Sequence, residues 1–136
     1  MSNYLTKKPS HHDANKILQW CMDTYGKSRV NGNFPCVEYK KPDHTQCDYA
    51  GYYDEVEELI FVNKEMNTTI EELAKTIIHE YIHYVKHKMK DYYVLAKYLP
   101  HDLNPMEKEA KKIEQRDFKI CLEHIQKKST KKDALK

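Results

Sequence analysis

His79-Glu80-Tyr81-Ile82-His83 gathers two imidazoles and a carboxylate in the spacing HExxH. On a helix, four residues rise about 6 Å and turn a little more than once, so His79 and His83 stand one above the other and can reach a single ion. Two such nitrogens suit Zn2+, and Glu80 beside them is then placed as general base for an activated water. That chemistry is hydrolysis. The competing reading is an amphipathic helix with two surface histidines.

A helix must carry the motif, and the flanking residues predict one. Thr68 and Thr69 stand three positions ahead of Glu71 and Glu72, so either pair can form a capping box. Ile70, Leu73, Ala74, Ile77, Ile78, Tyr81 and Val85 then share one broad apolar face, with His79 and His83 projecting almost opposite it.

A catalytic zinc site needs a third protein ligand and an open position for water. Asn104-Pro105 can open another helix running through Met106, Ala110, Ile113, Ile120 and Cys121, and it offers Glu107 or Glu109. His101, next to Pro100, is the histidine alternative. His87 lies one turn beyond His83, but no helix-ending glycine precedes it, which leaves it far along a continuing helix. For a developing oxyanion, residues 91–104 contain Tyr92, Tyr93, Tyr98 and His101 as donors.

With HExxH at 79–83 and a glutamate on a later helix, the chain resembles the gluzincin clan of zinc metallopeptidases, in particular the minigluzincins and the ImmA/IrrE-like proteases. The resemblance spans roughly residues 48–118. It implies Glu107 as the third ligand, because the small Ala110 three positions on would let the two site helices approach, whereas Glu109 has Lys112 there. It also implies an acidic residue four positions after the ligand to orient a histidine. Lys111 stands there instead, and Glu114 or Asp117 could take that role from the same helix.

The resemblance further implies a protein or peptide substrate, taken up as an added strand on a sheet edge near the zinc; Gly51–Asp54 or Leu59–Val62 could provide that edge. The bulky Tyr84 follows the second histidine where related proteins often have a small residue. It favours the alternative of a zinc-binding regulatory or interaction protein with a degenerate protease fold.

The rest of the chain predicts the frame. Ala14, Ile17, Leu18, Cys21, Met22 and Tyr25 follow helical spacing up to Gly26. Asn31-Gly32 and Pro35 carry turn chemistry, and Cys36–Lys40, 48–53 and Leu59–Val62 look like short strands. The expected class is α+β: a small sheet of three or more strands with helices on one side, a zincin-like core. Residues 1–126 form one expected domain and 127–136 a flexible tail carrying Lys127, Lys128, Lys131, Lys132 and Lys136.

A net charge of +2 and two arginines, Arg29 and Arg116, argue against a nucleic-acid partner; the lysine tail is the one segment that could touch phosphate. No apolar run reaches membrane-spanning length, and residues 1–10 lack the apolar stretch of a secretory signal. A cytoplasmic protein is therefore expected. Cys21, Cys36, Cys47 and Cys121 show no CxxC spacing and read as free thiols, with Cys36, His44 and Cys47 a weaker second metal group and Cys21 and Cys121 core residues.

Overall fold

Ser10 and Asp13 start the first helix by exchanging bonds. The Asp13 N–H donates to the Ser10 hydroxyl at 3.3 Å, and the Ser10 N–H donates to the Asp13 carboxylate at 2.8 Å. This capping box opens α1 (His11–Tyr25). Gly26 closes it at φ 80°, in the left-handed region that favours glycine, with its N–H on the Met22 carbonyl. The computed structural model describes residues 6–28, 32–43 and 49–134; Arg29, Asn31, His44, Cys47, Asp48 and Lys136, named above, lie outside these.

Three strands follow: β1 (Cys36–Lys40), β2 (Gly51–Asp54) and β3 (Leu59–Asn63). Their order is β1-β3-β2, with β1 parallel and β2 antiparallel to β3. β3 is therefore the central strand, so of the two segments considered for a sheet edge only Gly51–Asp54 is one. The β2–β3 turn is built on Asp54, whose carboxylate accepts the N–H groups of Val56 at 3.0 Å and Glu57 at 3.1 Å.

Val37, Tyr39, Tyr53, Ile60 and Val62 join the side chains of α1 and of α2 (Ile70–Lys86) in one core. Phe61 and Tyr52 pack on each other at 5.1 Å on the other face. With side chains alternating across the pleat, the helices thus lie on one side of the sheet. The fold is α+β, with four α-helices and a three-stranded mixed sheet among the described residues.

Thr69 caps α2, accepting the Glu72 N–H at 3.2 Å, while the Glu72 carboxylate accepts from the Thr68 N–H and both threonine hydroxyls. One buried amide fixes this helix to the sheet. Asn67 donates to the carbonyls of Ala50 and Asn63 at 3.0 and 2.8 Å, and accepts from the Thr76 hydroxyl at 2.6 Å. The start of β2 is thereby held against the second turn of α2.

A short helix, α3 (Met89–Ala96), and a 3-10 turn at His101–Leu103 lead to α4 (Pro105–Ala134). α3 lies where the sequence reading had no element: Met89 is its one buried residue, so it carries no apolar stripe. α4 starts as expected, with Pro105 in its first turn and the Asn104 side chain accepting the Met106 N–H at 2.9 Å. It runs on through residues 127–134. Among the described residues no helix is long and apolar enough to cross a membrane.

Candidate metal centre

α4 packs along α2 on the side opposite the sheet, and Ala110, fully buried, keeps the two helices close. This changes the environment of the motif histidines. They do project away from the first apolar face, but α4 covers them, and His83 is 3% exposed. Tyr81, Ile82, His83 and Tyr84 are all buried, so the turn of α2 that carries His83 is enclosed, while Lys86 at the end of the helix is exposed.

His79 and His83 both direct Nε2 at one oxygen. Each lies 2.7 Å from Oε1 of Glu107. Glu107 is in the first turn of α4, where the helix dipole favours a carboxylate. Its other oxygen is held from outside by the Tyr92 hydroxyl at 2.6 Å and by Nε2 of His101. His79, His83 and Glu107 are the one group of three among the described residues whose donor atoms could hold a metal ion, all within 4.8 Å of one another.

The outer nitrogens are also engaged. Nδ1 of His79 is 3.1 Å from Oε1 of Glu114, and Nδ1 of His83 is 3.0 Å from Nδ1 of His87. Both nitrogens of His79 face carboxylates, so a neutral His79 can donate to only one; with its hydrogen on Nδ1 toward Glu114 it offers a bare Nε2 inward. Lone pairs from two imidazoles and a carboxylate then converge on one point. Such an arrangement requires positive charge among them, either a proton or a metal cation, and the donor set of two nitrogens and one oxygen fits Zn2+.

The titration behaviour agrees. Burial works against a charged His79, but its bonds to Glu107 and Glu114 outweigh this and push it up to about 10. Burial prevails at His83, which moves down despite its bond to Glu107. One proton is thus favoured on the pair, on the ring whose two nitrogens both face carboxylates. Burial opposes charge on Glu107 too, yet the bonds from His79, His83 and Tyr92 hold its carboxyl well below the usual range.

Glu80 belongs to the same environment. Burial pushes its carboxyl up, the charge of His79 draws it down, Glu107 and Glu114 raise it, and a backbone hydrogen bond from Tyr53 lowers it; the balance is about 7. The edge strand β2 therefore touches the motif helix at Glu80.

Other residues considered from sequence are placed elsewhere. Glu109 sits on His87 Nε2 at 2.6 Å and does not join the triad. Of the two acidic residues considered behind the histidines, Glu114 reaches His79, whereas Asp117 accepts from the Tyr25 hydroxyl at 2.7 Å and pairs with Arg116. Tyr93 and Tyr98 are exposed. Tyr84 does not crowd the triad: its hydroxyl donates to the Asn33 carbonyl at 2.6 Å and accepts from the Ser28 N–H at 3.1 Å, with its ring against Tyr53 and Tyr81. Cys21 and Cys121 are buried free thiols, and Cys36 is exposed. The contact between His87 and His83 escaped the sequence reading, although the spacing of 79, 83 and 87 along one helix face was its signal.

Comparison of the chain with protein-family models, with curated proteins and with solved structures finds no match.

Proposed function

We propose that this protein is a zinc-dependent metallopeptidase with a zincin-like core, in which His79, His83 and Glu107 hold Zn2+ and Glu80 is the general base. The observation that carries the reading is the convergence of two Nε2 atoms on Oε1 of Glu107, with the remaining nitrogens and oxygen held from outside. The resemblance of HExxH and the later glutamate to the gluzincin clan supports it.

When bound, the ion would supply a Lewis acid that acidifies water and polarises a scissile carbonyl. The protein's own groups account for the rest. Tyr92 and His101 occupy Oε2 of Glu107, so this ligand would offer Oε1 alone and take up a single coordination position. Glu80, balanced near 7, is suited to take a proton from water and return it to the leaving amine at neutral pH.

β2 supports a peptide substrate. Asn63 N–H donates to the Ala50 carbonyl at 2.8 Å, so in the alternating antiparallel ladder the backbone groups of Gly51 and Tyr53 face away from β3; the Tyr53 N–H is already taken by Glu80, which leaves Gly51 to receive a peptide. A peptide laid along this edge as an added strand would run beside Glu80, with affinity from main-chain bonds and little demand on side chains.

The test is the zinc content of the purified protein after dialysis in metal-free buffer, together with hydrolysis of denatured casein and a fluorogenic peptide library. One zinc per chain is expected, and none after adding zinc would overturn the reading. Glu80→Gln should keep that zinc and lose about 10²–10⁴ in turnover; a fully active variant would remove Glu80 from its role. Zinc without hydrolysis in the wild type would replace the enzyme with a zinc-binding regulatory protein.

A further inference from the structure

The two motif histidines are steadied by different chemistry. Behind His79 stands a carboxylate, Glu114. Behind His83 stands a third imidazole, and behind that a second carboxylate: His83 Nδ1 is 3.0 Å from His87 Nδ1, and His87 Nε2 is 2.6 Å from Glu109 Oε1.

The end of α2 builds this arrangement. His87 is the residue where the helix stops, at φ −116° and ψ 129°, with its backbone N–H still donating to the His83 carbonyl at 3.1 Å. The extended backbone turns the chain off the helix axis while the ring stays against His83, the centroids 5.1 Å apart. The His87 side chain is 5% exposed; Glu109, on α4, is 46% exposed. Glu109 thus closes the chain of contacts at the surface.

Hydrogen placement follows from the last partner. Nε2 of His87 faces a carboxylate and carries the hydrogen, so a neutral His87 has a bare Nδ1. The contact between the two Nδ1 atoms needs one donor, which must then be His83. His83 with hydrogen on Nδ1 presents a bare Nε2 to Glu107, an approach of two lone pairs at 2.7 Å that is favourable only with a cation held between them.

We propose that His87, itself held by Glu109, is the positioning residue for His83, fixing its tautomer and ring plane for Zn2+. The proposal rests on the zinc reading above. His87 is outside the triad and touches no reacting group, so its contribution lies in metal affinity. Outer partners of ligand histidines are commonly worth 10–100-fold in that quantity.

The experiment is Zn2+ affinity by competition with a chromophoric chelator, for the wild type, His87→Leu, His87→Asn, Glu109→Ala and the double variant His87→Leu/Glu109→Ala, with circular dichroism recorded on each. His87→Leu should bind zinc about 10–100-fold more weakly with an unchanged helical spectrum. His87→Asn should recover most of the loss, since its Oδ1 can accept from His83 Nδ1–H where His87 Nδ1 did. Glu109→Ala should weaken binding less, and add nothing in the His87→Leu background because the two act in series.

Wild-type affinity in His87→Leu would overturn the proposal and leave the zinc reading intact. So would an Asn variant as weak as the Leu variant, which would make His87 a space-filler, or an undiminished Glu109→Ala effect in the double variant. A wild type that binds no zinc would overturn both readings.

Discussion

Glu107 and Glu114 grip the same imidazole from its two nitrogens, Glu107 at His79 Nε2 and Glu114 at His79 Nδ1. They stand two turns apart on one face of α4, so a single helix supplies both the inner and the outer partner of that ring. The arrangement makes the docking of α4 on α2 inseparable from the geometry of the site. A shift of α4 by one residue along its axis, about 1.5 Å, would break both contacts at once.

The ligand set separates by substitution. Glu107→Ala should lower zinc affinity by more than about a hundredfold, beyond what outer partners cost. His101→Ala should retain one zinc per chain, because His101 touches the outward oxygen of Glu107 and no other member of the triad. Metal analysis after dialysis reads both. Full zinc in Glu107→Ala, or its loss in His101→Ala, would assign the third ligand to His101.

Gly51 is where β2 meets α2. A Cβ there would lie 2.6 Å from the Phe61 carbonyl oxygen and 2.9 Å from Thr76 Cγ2. Gly51→Ala must therefore push β2 away from its neighbours, at about 1–3 kcal/mol in urea unfolding. Because β2 also bonds to Glu80, turnover should fall in this variant while zinc content stays. An Ala variant as stable and active as the wild type would show that the strand has slack.

Tyr25 and Asp117 give a dependence on pH remote from the triad. Arg116 holds the Asp117 carboxyl below its usual range; burial opposes this and the Tyr25 hydroxyl adds to it. A lowered folded value stabilises the protein above the unfolded value, and that contribution is lost as pH falls below about 4. Tyr25→Phe should cost roughly 1–2 kcal/mol at pH 7. The gap between wild type and Asp117→Asn should narrow from pH 6 to pH 3, and urea titrations showing a constant gap would refute the linkage.

Strong periodicity made α1 and α2 readable, and α4 was readable from Pro105 because its start has the chemistry of a helix cap. β1 was read with its full bounds and β3 within one residue. α3 was not, since eight residues with one buried side chain leave no stripe to detect. At the site, HExxH exposed His79, Glu80 and His83, whereas Glu107, Glu109 and His101 competed because the fold of residues 88–104 decides which of them meets the two motif histidines. The link from His83 through His87 to Glu109 was hidden for a related reason. His87 reads as a further helical residue until the helix is seen to stop there.

The sheet also has an order in time. β2 and β3 are joined by the short turn that Asp54 nucleates, and a hairpin of this kind closes in about 1–10 μs. β1 can pair with β3 only after the whole β2 hairpin has been accommodated between them in sequence, a larger loop to close. The edge beside Glu80 is thus the local one, expected to form first, and the far edge the one expected to form last. Hydrogen exchange should release the amides of β1 before those shared by β2 and β3; the reverse order would place the weak seam of the fold beside Glu80 instead.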